Sequence, residues 1–359
     1  MLENWVNPSV IAKESFTEKS FGSSIIFFDK NTDTLDAKIA LLGVDKAEAD
    51  AVRKQLFSYS NIKLSHNVTD LGNLKKNDID FVTMALKEII DSGMILIVLG
   101  SSVLNIESQF KAYYEKNRLP NIAIIDAQLD LDGEKSYLKN VLWDKNKQKA
   151  IGHLSMLATQ GHLVDQDDWD TLEFQDFDLV RLGKVRNSIE ECEPLIREVD
   201  GLAFNISAIR QSEAPAQTLP MPSGLFIEEA CQLVRYAGIN ERLSSVGFYG
   251  FEQKHDVADQ TAKCIALMAW YFIDGVASRK NDYPISTTEM VEYIVEVKGF
   301  TLPLTFWKSN KSGRWWIQIP NSKSKKEQNY LFSCSYKDYK EACSGELPER
   351  IWNGFKRLS

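Results

Sequence analysis

Cysteine, histidine and long apolar runs are scarce in this sequence, and each shortage argues against a class of protein. The five cysteines are scattered and form no CxxC pair, which argues against a zinc cage and favours reduced thiols in a cytoplasm. No apolar run approaches ~18 residues, so no membrane span is predicted. The opening MLENWVNPSV lacks a basic region followed by an apolar one, so no signal peptide is predicted.

Basic residues are too few and too dispersed for a nucleic-acid surface. The net charge is −8, and there is no basic tail or Arg-rich stripe. The 44% of hydrophobic and 26% of charged residues are ordinary for a globular protein. With 359 residues the chain can bury a large core, as one domain or as a domain with an appendage.

From residue 38 onward, apolar runs typical of buried strands alternate with stretches of helical periodicity. The predicted strands are residues 39–44, 62–68, 94–99, 122–125, 150–155, 177–182, 201–206 and 245–249. The predicted helices are residues 45–57, 78–92, 103–118, 188–198, 225–237 and 256–277. This alternation predicts the α/β class, with a mostly parallel sheet between two layers of helices, over a domain of residues 1–284.

The pattern changes after Pro284 to one typical of antiparallel strands. Residues 293–297, 301–307 and 314–319 alternate in polarity, and 310–313 form a good hairpin connection. A polar loop at 321–328 and two short helices at 335–342 and 348–357 follow. Residues 285–359 are therefore predicted to form a small β-rich subdomain, with a local net charge of +4 against −12 for the rest.

Aromatic residues are dense in this C-terminal part, and they have two interpretations. They could anchor a small subdomain to the main core, or Trp307, Arg314, Trp315 and Trp316 could form a face that binds a protein partner. Trp, Tyr and Arg dominate binding hot spots, and the neighbouring lysines would favour an acidic partner.

Two carboxylates follow one predicted buried strand. Asp126 comes directly after residues 122–125, and Asp130 lies four positions further on. Open α/β sheets bind their ligands beyond the carboxyl ends of parallel strands, so this pair could hold a divalent metal or act in acid–base chemistry. The favoured alternative is that both are aspartates that cap loops by accepting backbone hydrogen bonds.

The order and spacing of several segments over roughly residues 39–280 resemble the ureohydrolases, namely arginase, agmatinase and formimidoylglutamase. The formimidoylglutamase-like branch is the most similar. The matching segments are 70–74 (DLGNL), 98–100 (VLG), 126–130 (DAQLD), 204–207 (FNIS), 214–215 (AP), 223–225 (SGL) and the positions of Asp256, Thr261 and Ala262. The resemblance implies one α/β/α domain, and a pair of manganese ions that cleaves guanidino or formimino C–N bonds.

The resemblance also places the metal ligands of that family, and most are replaced. Its two conserved carboxylates in "DAHxD" correspond to Asp126 and Asp130. Positions that should be metal ligands carry Val103, Gln128, Asn205 and Ser207. The glutamate that contacts substrate falls on Gly250, with Glu252 close by. We interpret these eight positions as a vestigial pocket, in which Asp126 and Asp130 are the remaining candidate metal ligands.

Two functions remain open at this point. The first is a non-catalytic binding or scaffold protein without a cofactor and without catalytic residues, forming a homo-oligomer as ureohydrolases usually do. The second is a Mn²⁺-dependent hydrolase of a small amidine. The four histidines fall outside the ligand positions, but His153 and His162 lie near the predicted pocket side, which leaves a replacement site open.

Overall fold

The computed structural model describes residues 2–11, 16–29, 37–100, 102–114, 119–133, 136–146, 148–283, 287–297, 303–320 and 329–358. Within them, one sheet of ten strands forms the centre of the chain. Its strands are β1 (Val6–Asn7), β2 (Ile26–Phe27), β3 (Ala37–Gly43), β4 (Asn67–Leu74), β5 (Ile95–Leu99), β6 (Asn121–Ile125), β7 (His153–Thr159), β8 (Asp178–Arg181), β9 (Gly201–Asn205) and β10 (Ser245–Tyr249).

The strand order is β1-β4-β3-β5-β10-β9-β6-β7-β8, with β2 beside β4. All neighbours run parallel except β1, which is antiparallel to β4. The predicted fold class is thereby confirmed. Because the strands are parallel, their carboxyl ends meet at one edge, and β5, β10, β9 and β6 bring theirs to its centre.

Helices cover both faces of this sheet. They are α1 (Lys46–Ser58), α2 (Ile79–Asp91), α3 (Asn105–Lys111), α4 (Leu138–Leu142), α5 (Gln166–Glu173), α6 (Leu182–Asn187), α7 (Glu193–Arg197), α8 (Ile227–Ile239) and α9 (Gln260–Ala277). Successive side chains of a strand point to opposite faces, so each buried strand feeds two cores. In β5, Ile97 packs into the core under α1, α8 and α9, and Leu96 into the core under α2, α3 and α4.

Two predicted strands are placed wrongly. Residues 62–66 are outside a strand, and β4 instead includes the segment 70–73, which reads locally as a turn. Gly72 adopts φ +85° there, and an added Cβ would lie 2.1 Å from the Asn7 carbonyl oxygen.

The strand predicted at 150–155 is in fact His153–Thr159, which moves His153 from the carboxyl side of the sheet to its amino end.

A buried arginine explains the 70–73 segment. The Arg53 side chain is completely buried, and its Nε donates to Asp70 Oδ1 at 3.0 Å. Its two terminal nitrogens donate to Asn73 Oδ1 at 2.7 Å and to the Gly72 carbonyl at 2.5 Å. The segment thus ties α1 to β4 through a charge that has no access to water.

The C-terminal part forms a second, antiparallel sheet in the order β11-β12-β13-β14. Its elements are β11 (Met290–Val295), β12 (Leu304–Ser309), β13 (Trp315–Pro320), β14 (Asn329–Cys334), α10 (Tyr336–Cys343) and α11 (Glu349–Leu358). The hairpin at 310–313 is confirmed, with Gly313 at φ +75°. Strand β14 was not predicted. The predicted loop 321–328 and the domain boundary at 284 lie outside the described residues.

Charged groups join this second sheet to the main domain. Arg197 on α7 donates to the Trp315 and Cys334 carbonyls at 3.0 and 3.1 Å, and its guanidinium lies 4.5 Å from the centre of the Trp316 ring. On α11, Arg357 Nη2 donates to Asp178 Oδ2 at 2.5 Å, and His153 Nε2 lies 2.8 Å from the same oxygen. The pair of Arg357 and Asp178 thus joins a basic residue of the C-terminal part to a carboxylate of the acidic main domain.

All five cysteines are free thiols. Among the helices that the structure describes, none is both long and apolar enough to cross a membrane.

Replacing Arg53 by Met should lower the free energy of unfolding by about 3–5 kcal/mol, because the buried charge of Asp70 would lose the cation that balances it. Denaturant unfolding measures the loss. Lys54→Met is the matched control, since Lys54 is exposed on the same helix, and it should change stability by under ~0.5 kcal/mol. Equal effects of the two substitutions would contradict the role assigned to Arg53.

Acid should destabilise the chain through His153. Burial lowers the pKa of His153 below its ordinary value of 6.5, although Asp178 opposes the shift. As the pH falls through 6.5, the unfolded chain binds a proton that the folded chain does not, so stability is lost. Unfolding free energies between about pH 7.5 and pH 5 should show this loss, which should be reduced in His153→Gln. The exposed His162, changed to Gln, should leave the wild-type slope intact.

Candidate functional site

Four central strands bring the predicted pocket positions to one edge of the sheet. Asn205 ends β9 and pairs with Tyr249 of β10. The last pair between β6 and β9 is Ile125 with Phe204, so the next residues of the two strands, Asp126 and Asn205, follow side by side. Gly250 follows β10, and Val103 lies beyond β5. The strand order, which the sequence does not specify, is what makes these positions neighbours.

The Asp126 carboxylate is buried, with 2% of the residue exposed, and both of its oxygens accept hydrogen bonds. Oδ1 accepts from the Ser207 hydroxyl at 3.0 Å and from the Gln128 backbone N–H at 3.1 Å. Oδ2 accepts from the Tyr137 hydroxyl at 2.7 Å and from Asn205 Nδ2 at 2.9 Å. Protein donors thus surround the carboxylate on both sides.

A further contact fixes this arrangement. The Ser207 N–H donates to Asn205 Oδ1 at 3.2 Å, so that the Asn205 amide presents its nitrogen to Asp126. The side chains of Asp126, Asn205 and Ser207 therefore form a closed network with the backbone of the turn after β9. We call Asp126, Tyr137, Asn205 and Ser207 the polar floor.

Burial dominates the electrostatics of the polar floor. Desolvation raises the pKa of Asp126 above its ordinary value, and the donors from Asn205, Tyr137, Gln128 and Ser207 counteract part of that rise. Burial, with Asp126 beside it, raises the pKa of Tyr137 well above 10.0, so the phenol keeps its proton and acts as a donor. These shifts follow from placing a carboxylate away from water with no ion-pair partner among the residues that the structure describes.

Tyr137 was not found by sequence reasoning. It lies eleven positions after Asp126, just before α4, in a segment with no motif around it. Only the packing of α4 beneath the edge of the sheet brings its hydroxyl to the carboxylate.

Asp130 lies apart from the polar floor in its hydrogen bonding. Its side chain is exposed, and Oδ1 accepts from the backbone N–H groups of Asp132 at 3.1 Å and Gly133 at 2.7 Å. An added Cβ at Gly133 would lie 2.0 Å from Asp130 Oδ2, so a side chain there would displace the Asp130 carboxylate from this turn. Asp130 thus caps a turn, and Gln128 is likewise exposed.

The remaining pocket positions are Val103, Gly250 and Glu252. Val103 packs against the apolar core under α2, α3 and α4. Gly250 has φ +80°, and an added Cβ would lie 2.3 Å from Asn205 Oδ1, so a side chain is excluded beside the polar floor. Glu252 lies 3.6 Å from Lys254 and 3.4 Å from His255, with 37% of its side chain exposed.

The histidines do not supply a replacement site at this edge. His153 begins β7, at the amino end of the sheet, and its ring pairs with Asp178. The expectation that it lies on the pocket side is therefore wrong, because the strand begins three residues later than predicted. His66 and His162 are exposed, and His255 lies beside Glu252.

The aromatic residues proposed for partner binding are mostly interior. Trp316 is 2% exposed beneath Arg197, and Trp315 is 6% exposed. Trp307 is half-buried, with its indole N–H bonded to Gln318, and Arg314 lies 3.5 Å from Glu193. Their partner-binding role stays a prediction, whereas the anchoring contacts of Trp315 and Trp316 are present in the structure.

No family model matches this chain, and no curated protein matches it. Solved structures do. A formiminoglutamase of Trypanosoma cruzi, crystallised with Mn²⁺, superposes with a TM-score of 0.62 at 15% identity, covering 70% of this chain and 96% of the other. The formimidoylglutamase of Bacillus subtilis gives 0.62 at 16% identity, covering 76% and 95%.

The agmatine ureohydrolase of Thermoplasma volcanium is also similar, with a TM-score of 0.56 at 17% identity, covering 74% of this chain and 97% of the other. At these identities the likeness is one of fold. The coverage shows that nearly the whole of each enzyme has a counterpart in this chain. The chain therefore has the arginase-like α/β fold, as its sequence predicted, with a small antiparallel sheet added at the C-terminal side.

Proposed function

We propose that the chain is a non-catalytic protein on a ureohydrolase-like fold, and that it works as a binding or scaffold protein. The observation that supports this is the state of Asp126, whose carboxylate oxygens accept four hydrogen bonds from protein groups. A carboxylate whose lone pairs are already engaged, and whose neighbours are neutral, is stabilised as part of the protein interior.

The residues at this edge do not fit a pair of manganese ions. Two divalent cations need several carboxylates to offset their charge, and imidazoles to complete their shells. Within the part of the chain that the structure describes, no three His, Cys, Asp or Glu side chains are grouped so as to hold a metal ion. Asn205 and Ser207 supply neutral groups, and Val103 supplies none.

The alternative is a metal-dependent hydrolase that cleaves a C–N bond in a small amidine. It is favoured by the position of Asp126 directly after β6, and by the likeness of the fold to enzymes of that kind. For this alternative to hold, Tyr137, Asn205 and Ser207 would have to release both oxygens of Asp126.

Two further parts of the proposal concern assembly and location. We propose a homo-oligomer, because ureohydrolases, which the sequence resembles, usually form one. We propose a cytoplasmic location, because all five cysteines are free thiols and reducing compartments keep them so.

The purified chain should bind no stoichiometric Mn²⁺, and it should release neither urea nor formamide from arginine, agmatine or formimino-glutamate. Elemental analysis after dialysis against Mn²⁺ measures the first quantity, and a product assay with added Mn²⁺ measures the second. An active formimidoylglutamase run in parallel controls the assay. Stoichiometric metal, with turnover that disappears in Asp126→Ala, would replace the proposal by the hydrolase alternative.

Changing Asp126 to Ala should lower the free energy of unfolding by about 3 kcal/mol or more, because it leaves the Tyr137, Asn205 and Ser207 donors buried without an acceptor. Denaturant unfolding checks this value. Asp130→Ala is the matched control from the same segment, and it should cost only a small fraction of that, since Asp130 is exposed. Equal losses in the two variants would show that the polar floor is not a structural element.

A further inference from the structure

A cleft of about 550 Å³ lies at the seam between the main domain and the C-terminal subdomain. Its volume lies within the range of about 300–1,000 Å³ that is usual for ligand-binding pockets. One wall comes from the main domain, with Glu190, Glu191, Glu193 and Tyr236, and the other from the C-terminal subdomain, with Arg314, Tyr336, Lys337 and Lys340. We call this the seam cleft; it is separate from the polar floor.

The C-terminal wall presents a tyrosine on a rigid aromatic support. Tyr336 is 54% exposed, and its ring lies 5.6 Å from Trp315 and 5.9 Å from Tyr339, measured between ring centres. Trp315 and Tyr339 are stacked on each other at 4.7 Å. An exposed tyrosine held in place by a buried Trp315 ring and a partly buried Tyr339 ring loses little side-chain entropy when a partner covers it, which is typical of a binding hot spot.

The carboxylates of the opposite wall are largely neutralised. Glu193 lies 2.9 Å from Arg197 and 3.5 Å from Arg314. Glu191 lies 3.7 Å from Arg350. Glu190 is exposed and has no ion-pair partner among the described residues. The acidic wall therefore keeps one carboxylate that a ligand would meet uncompensated.

The C-terminal wall keeps two accessible cations beside Tyr336. Lys337 is exposed and lies 3.7 Å from Glu341; both side chains are more exposed than those of Glu191 and Arg350, so water screens this pair and it has little strength. Lys340 is exposed, and its ammonium lies 5.2 Å from the centre of the Tyr336 ring. Both are on α10, within its first two turns. The exposed tyrosine is thus flanked by positive charge on its own wall.

We propose that the seam cleft binds an acidic peptide segment of a partner protein, with one apolar side chain packed on Tyr336 and carboxylates beside Lys337 and Lys340. The proposal rests on the proposed function, since it names the kind of partner that a binding protein of this fold would hold. Charge complementarity selects an acidic segment, because the exposed Lys337 and Lys340 line the same wall as Tyr336 and the ammonium of Lys340 lies 5.2 Å from the centre of its ring. The negative charge of Glu190 should repel such a segment. Removing that charge should therefore strengthen binding, whereas removing the lysine charges should weaken it.

The experiment begins with a library of random peptides displayed on phage, selected against the whole folded chain. Selected sequences should be rich in Asp and Glu around one aromatic or aliphatic residue. The best peptide is then synthesised with a fluorescein label, and its affinity is measured by fluorescence anisotropy at several salt concentrations.

Charge reversal locates the binding. The double variant Lys337→Glu with Lys340→Glu should weaken the labelled peptide by about tenfold, and should flatten the salt dependence. Glu190→Lys should strengthen binding, and Tyr336→Ala should weaken it. Lys54→Glu, an exposed charge reversal on α1, is the control and should leave the affinity unchanged. Matching circular dichroism and unfolding curves show that each variant is folded.

Three results would overturn the proposal: no peptide is selected, the selected peptides are neutral or basic, or their binding is unaffected by Tyr336→Ala and the two lysine reversals. These outcomes are independent of the metal and turnover assays. A chain that binds Mn²⁺ and turns over a substrate, yet holds the acidic peptide at the seam, would remove the proposed function and leave the seam cleft as a docking site.

Discussion

A carboxylate buried at the carboxyl edge of a parallel sheet has to be compensated, either by cations or by hydrogen-bond donors. At Asp126 the compensation comes from donors: the hydroxyls of Tyr137 and Ser207, the Asn205 amide and one backbone N–H. Because such a network is costly to leave partly satisfied, it also fixes the turn after β9 and the approach of α4. The arrangement of side chains at the centre of this edge of the sheet therefore depends on the Asp126 carboxylate.

The same constraint recurs away from the sheet edge, with cations in place of neutral donors. Asp70 is matched by Arg53, and Asp178 by Arg357, while the His153 ring lies within hydrogen-bond distance of the same Asp178 oxygen. Burial alone would raise the pKa of Asp178, but Arg357 and His153 hold it well below its ordinary value. Asp126 differs, because its pKa is raised. Asp178 joins elements of the fold through an ion pair, whereas Asp126 is held by neutral hydrogen-bond donors.

The seam between the two sheets shows how the second subdomain is attached. Arg197 reaches from α7 to two carbonyls of the antiparallel sheet and covers the Trp316 ring. The Trp316 ring and the Trp315 carbonyl take part in this attachment, and the Trp315 ring stacks on Tyr339, which leaves Tyr336 as the exposed aromatic residue beside the seam cleft. The density of aromatic residues in the sequence could not separate the anchoring rings from the exposed one, because all of them belong to the same aromatic-rich segment.

The sequence by itself determined the fold class, the two-part pattern of the chain, and most of the strands of the main sheet, because apolar periodicity reports burial directly. It misplaced β4, whose Gly72 and Asp70 resemble a turn locally, and it shifted β7, because flanking residues there are also apolar. Only the tertiary structure decided that Asp126 turns inward while Asp130 caps an exposed turn, and that Tyr137 completes the polar floor. The reason is that strand order and helix packing bring these groups together across the chain, and local sequence carries no record of those distances.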